Sequence, residues 1–116
     1  MPAKYKLWYL PAAEKDLLSI LEWIAKDSPD RAISFVNKLD KRISILEIFP
    51  KTGRLPRHPK LSESGYRVLV IESYIAFYKI VGHTIQVHRV IHGSRNLDMI
   101  IWIYKTVLKS FLSSSS

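Results

Sequence analysis

Apolar residues recur along this chain with two periods, about three to four residues in the first half and two in most of the second. The opening stretch KYKLWYL, residues 4 to 10, is rich in aromatics and begins by alternating lysine with apolar residues, which predicts a strand ended by Pro11. Ala13, Leu17, Ile20, Leu21 and Ile24 then fall on one helical face, with Glu14 and Asp16 in the first turn, where the helix dipole favours acids. A second helix is announced by Ser28 as N-cap, Pro29 at the first helical position and Asp30 just inside. Its stripe of Ala32, Phe35, Val36, Leu39, Ile43 and Leu46 runs towards Pro50, while Arg31, Lys38, Lys41 and Arg42 lie largely elsewhere. Helices joined by so short a link form an antiparallel hairpin, and their shared apolar face requires a sheet to cover.

Residues 51 to 64, KTGRLPRHPKLSES, combine glycine, proline and a run of cations and predict a basic surface loop. GYRVLVI, SYIAFYKIV and TIQVHRVI follow as three strands of an antiparallel meander, the last two joined by a two-residue turn at Gly82 and His83. Asn96 is placed to cap a terminal helix in which Leu97, Ile100, Ile101, Tyr104, Leu108 and Phe111 recur at helical spacing. That stripe predicts docking either on the domain or on a partner. The expected fold is therefore α+β: an N-terminal strand, an antiparallel helix hairpin packed on one face of an antiparallel sheet, the three-strand meander and a C-terminal helix. Residues 1–112 are expected to form one domain, and the SSSS tail, residues 113–116, to be disordered.

The hairpin turn fixes a register in which Tyr78 pairs with Val87, Phe77 with His88 and Ile75 with Val90. One face then carries Ala76, Tyr78, Ile80, Ile85, Val87 and Ile91, with Arg89 as its single misfit, expected to pair with a helix acid such as Glu14 or Glu47. The other carries Ile75, Phe77, Lys79, Gln86, His88, Val90 and His92. A three-residue loop at Ile71, Glu72 and Ser73 adds Arg67 and Leu69 to this second face, whereas a two-residue loop moves them to the first. The second face is too apolar to meet water and too basic to be core, so a partner is expected to cover it.

Composition narrows the partner. The chain has 116 residues, 47% of them hydrophobic and 24% charged, with a net charge of +8. It is of single-domain size, and its cationic balance favours an acidic partner, whether nucleic acid, membrane surface or acidic protein, without choosing among them. No apolar run is long enough to span a bilayer, the start lacks the pattern of a secretory signal, and there is no cysteine, so no disulfide or thiolate metal site exists. A cytoplasmic location is expected. His88 and His92 have no evident third ligand or carboxylate, and neither a metal nor a cofactor is expected.

FPKTGR at 49 to 54, GYRVLV at 65 to 70, SYIAFYKI at 73 to 80 and HRVIHGSRN at 88 to 96 together resemble the RelE/ParE superfamily of bacterial toxins from type II toxin-antitoxin systems. The resemblance extends from the opening strand to about Ile101 and implies a co-encoded acidic antitoxin. Its RelE-like members are ribosome-dependent messenger RNA endonucleases, and its ParE-like members are non-nucleolytic poisons of DNA gyrase. Arg67 and Arg95 match basic positions of the nuclease branch, but Leu69 and Ile75 stand where further basic residues belong and Ile101 where a tyrosine does. The FP..GR phrase, Phe77-Tyr78 and His92-Gly93 look more like the ParE side, which implies Arg54, Arg67, Phe77, Lys79, His88, His92 and Arg95 as contacts to target or antitoxin. The alternative is a nuclease with His88 or His92 as acid or base and Arg67, Lys79 and Arg95 around the phosphate, acting on the ribosome and its messenger RNA. A third class, a plain nucleic-acid-binding module, rests on the cations from Lys51 to Lys60, which lack aromatic interleaving.

Overall fold

The computed structural model describes residues 4–93. Strand β1 (Lys6–Tyr9) leads into helix α1 (Pro11–Ala25), which begins without a side-chain cap: extended Leu10 supplies its carbonyl to Ala13 and Glu14, and Pro11 presets the first turn. Helix α2 (Pro29–Ser44) starts as its sequence predicts, with the Ser28 hydroxyl accepting from the Arg31 amide. It ends before Pro50 in a 3₁₀ turn, Ile45–Glu47. The meander follows as β2 (Tyr66–Ile71), β3 (Tyr74–Val81) and β4 (Thr84–His92), and the strand order is β1-β4-β3-β2. Because the helix hairpin carries the chain from β1 over one face, β1 lies parallel to β4, so the sheet is mixed rather than wholly antiparallel.

The helix hairpin buries that face. Ala13, Ile20, Leu39, Ile43 and Leu46 meet Leu69, Ile71, Ala76, Tyr78, Ile85, Val87 and Val90 in one cluster. Tyr9 ties β1 to α2 by donating to Asp40 at 2.6 Å. The opposite face has a smaller cluster of Leu61, Tyr66, Val68, Phe77 and Ile91, because the expected loop contains a short helix, α3 (Pro59–Glu63), which lays Leu61 over part of the sheet. The His58 ring nitrogen caps α3 by accepting from the Lys60 amide. Part of the face expected to await a partner is thus covered by the chain itself.

Two local features revise the expected faces. The β2–β3 loop has two residues, Glu72 and Ser73, with Ile71 opposite Tyr74 and Glu72 at a φ of 54°. Arg67 and Leu69 therefore lie on the helix side, not beside Lys79. The β3–β4 turn at Gly82 and His83 and the Tyr78–Val87 pair are as expected, but the register then shifts: Phe77 faces Arg89 rather than His88, and Ile75 faces Ile91 rather than Val90. The bulge at His88 reverses the alternation beyond it, so Val90 joins the core under the helices and Ile91 the opposite cluster. The terminal helix, Arg95, Ile101 and the serine tail lie outside the described residues.

Candidate functional site

The FPKTGR phrase is held by the sheet. Arg54 and Val68 exchange backbone hydrogen bonds of 2.9 and 2.8 Å, which dock the loop against β2. The Tyr78 hydroxyl donates to the Pro50 carbonyl at 2.7 Å and accepts from the Gly53 amide at 3.0 Å. Arg67 caps the same loop, its Nε and guanidinium nitrogen donating to the Gly53 carbonyl at 3.0 and 2.6 Å. A Cβ on Gly53 would meet the Tyr78 hydroxyl at 2.6 Å and the Val68 carbonyl at 2.7 Å, so this close approach requires glycine. Arg67, expected as a contact to target or phosphate, has its Nε and one terminal guanidinium nitrogen engaged with the carbonyls of Lys51 and Gly53. Periodicity gave no hint of this clamp.

The histidines separate. His88 stays on the open face, edge-on to Tyr66 with ring centroids 5.1 Å apart, while Lys79 places its ammonium 4.4 Å from the centre of the Tyr66 ring. Burial, reinforced by the Lys79 charge, holds the His88 imidazole down to about 4, so it is neutral at physiological pH and its buried Nε2 has no hydrogen-bond partner among the described residues. Burial likewise lowers Lys79 and raises Tyr66. His92, beyond the bulge, lies on the helix side against Tyr74, with ring centroids 5.2 Å apart. It lines a cleft of about 710 Å³ with Trp23, Arg31, Phe35, Lys38 and Glu72, the last two ion-paired.

Arg89 pairs with a helix acid, but with Asp16 rather than Glu14 or Glu47. Its Nε and guanidinium nitrogen donate to the two carboxylate oxygens at 2.6 and 2.8 Å, and the Val90 amide adds a third bond of 2.9 Å. This carboxylate satisfies the amide beside the bulge as well as the cation, and it locks α1 to β4.

The open face divides in two. Under the loop, Arg54, Leu55, Arg57, Val70, Ile75 and Phe77 line a groove of about 340 Å³, with Leu55 and Val70 exposed and Phe77 buried as its floor. Towards β1 the sheet is bare. Trp8 is 63% exposed and stands opposite Gln86, which is opposite Lys79, which is opposite Tyr66. Every acidic residue from Glu14 to Glu47 belongs to the helical layer, whereas no described strand residue of the open face is a carboxylate. Among the described residues no helix is long and apolar enough to cross a membrane, and no group of three His, Asp or Glu is placed to hold a metal.

A family model described as the ParE toxin of the type II toxin-antitoxin system parDE matches residues 7–97. Comparison with curated proteins finds no match. Among solved structures, a chain of the chromosomal ParDE toxin-antitoxin system from P. aeruginosa superposes with a TM-score of 0.65 at 22% identity, over 78% of this chain and 98% of that one. A chain of the RelBE2 toxin-antitoxin complex from Mycobacterium tuberculosis superposes with a TM-score of 0.52 at 21% identity, over 77% of this chain and 98% of that one. At these identities the superpositions establish the fold.

Proposed function

Since this chain belongs to the ParE toxin family of type II toxin-antitoxin systems, we propose that it inhibits growth in the cytoplasm by binding DNA gyrase, without cutting RNA, and that a co-encoded acidic antitoxin neutralises it. The observation that carries this reading is the dispersal of the groups a nuclease would need. Cleavage by a 2'-hydroxyl requires a base, a proton donor and cations converging on one phosphate. Here Arg67 is turned to the helix side and bonded to loop carbonyls, His92 is beyond the bulge on that same side, and Leu69 is buried in the core. His88 remains near Lys79, but a group that titrates at about 4 is no proton donor at neutral pH. The RelE-like alternative keeps one favourable observation, the juxtaposition of Tyr66, Lys79 and His88.

The antitoxin is assigned to the groove under the loop, where exposed Leu55 and Val70 offer apolar contact and Arg54 and Arg57 flank it with positive charge. Leu55→Glu should weaken the purified complex, and unchanged affinity would move the antitoxin elsewhere. The target is tested by induction. Expression should trigger a DNA-damage response, the purified protein should inhibit gyrase supercoiling, and His88→Ala and His92→Ala variants should remain toxic. Codon-linked cleavage of ribosome-bound messenger RNA, lost by orders of magnitude in the His88 variant, would overturn the proposal.

A further inference from the structure

We propose that the bare part of the open sheet face binds single-stranded DNA, with Trp8 stacking on a base and Lys6 and Lys79 holding the flanking phosphates. Parallel pairing of β1 with β4 and the two antiparallel ladders place Trp8, Gln86, Lys79 and Tyr66 in one row across all four strands. At the usual strand spacing the row is about 14 Å long. The neighbouring row places Lys6 beside Thr84 and Val81, and Val81 is 48% exposed. A tryptophan with most of its surface in water on a sheet face is a costly arrangement for folding alone, and neither core cluster of the described residues uses its ring.

The chemistry of the row selects the occupant. A base offers a planar face of the kind that stacks on an indole, an edge that the Gln86 amide can meet as both donor and acceptor, and a phosphate on either side. Four-stranded sheets use aromatic side chains on their open faces in this way to hold two or three bases. The distribution of charge supports it, because no described strand residue of this face is a carboxylate while Lys6 and Lys79 present ammonium groups, the one acid of the covering helix being Glu63 of α3. Lys79 is also fixed above the Tyr66 ring, so little of its freedom remains to be lost on binding. The choice of DNA over RNA rests on the gyrase reading; the stacking chemistry is common to both.

The experiment is direct titration of the full-length protein, freed of antitoxin, into a fluorescein-labelled oligothymidylate of about 12 nucleotides, within the span such sites cover. Binding should weaken with salt, and Trp8→Ala should weaken it by roughly tenfold or more while Trp8→Phe retains most of it. Lys6→Gln and Lys79→Gln should each reduce the logarithmic salt slope by about 0.7. The same titration is run with an oligouridylate and with polyglutamate as competitor. Binding that ignores Trp8 would overturn the proposal, as would displacement by polyglutamate at equal charge, which would make the face a site for acidic protein. Tighter binding of the RNA would overturn the assignment to DNA. Gyrase is absent from this assay, so failure of the gyrase reading shows in supercoiling and not here.

Discussion

The two faces of this sheet are built from the same strands, yet they obey different rules. Under the helices, the strand positions that point inward from Leu69 to Val90 are aliphatic or aromatic, buried except for the half-buried Tyr74 and Ile80, and the cation at the margin, Arg89, is matched by a carboxylate accepting three hydrogen bonds. On the other side, a short helix and a loop cover Val68, Phe77 and Ile91 and leave Trp8, Lys79 and Val81 at least partly in water. The contrast teaches that residue type does not mark function in this fold. Arg67 and Arg89 carry the charge that a site would use, and both hold structure together; the face proposed to act is the one whose described strand residues include an indole and ammonium groups but no carboxylate.

Removing the carboxylate from the ion pair should have the largest effect. Asp16→Ala leaves both the guanidinium and the Val90 amide without their acceptor in a place where the paired side chains are only 19% and 13% exposed. The expected loss is about 3 kcal/mol in urea unfolding. Replacing both partners, as Asp16→Leu with Arg89→Met, should recover most of the Arg89 share but not the amide's. A loss below about 1 kcal/mol for Asp16→Ala would show that the helix-covered face tolerates charge as the open face does.

The clamp on the loop comes next, because it joins the two faces. Gly53→Ala places a Cβ 2.7 Å from both the Tyr78 ring and the Val68 carbonyl, neither of which can yield without moving a strand, and should cost about 2 kcal/mol. Tyr78→Phe removes one hydrogen bond to Pro50 and one from Gly53 and should cost about 1 to 2 kcal/mol. Since the loop also walls the groove, both variants should weaken antitoxin binding in proportion, measurable by calorimetry on the same preparations.

These residues show what the chain discloses in advance. The helices and their caps were legible because Ser28, Pro29 and the apolar stripes are local signals, and the β3–β4 turn because glycine accepts its positive φ of 59°. The faces beyond were not. Glu72 takes a φ of 54° without being glycine, which disguises a two-residue loop and carries Arg67 to the wrong side. The bulge falls within Val87-His88-Arg89-Val90, where no glycine or proline interrupts the alternation, and it separates His92 from His88. Gly53, Arg67 and Tyr78 are distant in sequence and meet only in three dimensions, so only the resemblance of the FPKTGR phrase pointed to that region. Trp8 was open to a stricter use of period two: Leu7 and Tyr9 pack on the core, so the residue between them points away with Lys6.

A smaller effect separates the faces by pH. His88 titrates at about 4 in the folded chain and near 6.5 unfolded, so between these values the unfolded chain binds more protons. Stability should therefore be full above about pH 6.5 and fall as pH drops towards 4. His88 is only partly buried, so solvent screening reduces the loss to the order of 1 kcal/mol. His88→Phe should flatten this part of the curve in pH-dependent thermal unfolding. An unchanged curve in this variant would show that burial beside Lys79 does not hold the imidazole neutral in the folded chain.

The smallest change in stability is expected where the largest change in binding is proposed. Trp8 contributes little to the packed core and sits on a four-residue edge strand, so Trp8→Ala should shift unfolding free energy by no more than about 0.5 kcal/mol. The backbone of β1 is held independently of that side chain, by Lys6 and Leu10 amides donating to His83 and Val87 and by Leu7 and Tyr9 packing under the helices. A melting curve close to that of the parent, together with loss of oligonucleotide binding, would assign the indole to the surface rather than the scaffold. A loss of 2 kcal/mol or more would mean that Trp8 is packed after all, and the division between a face that folds the protein and a face that meets its partner would then fail at its central residue.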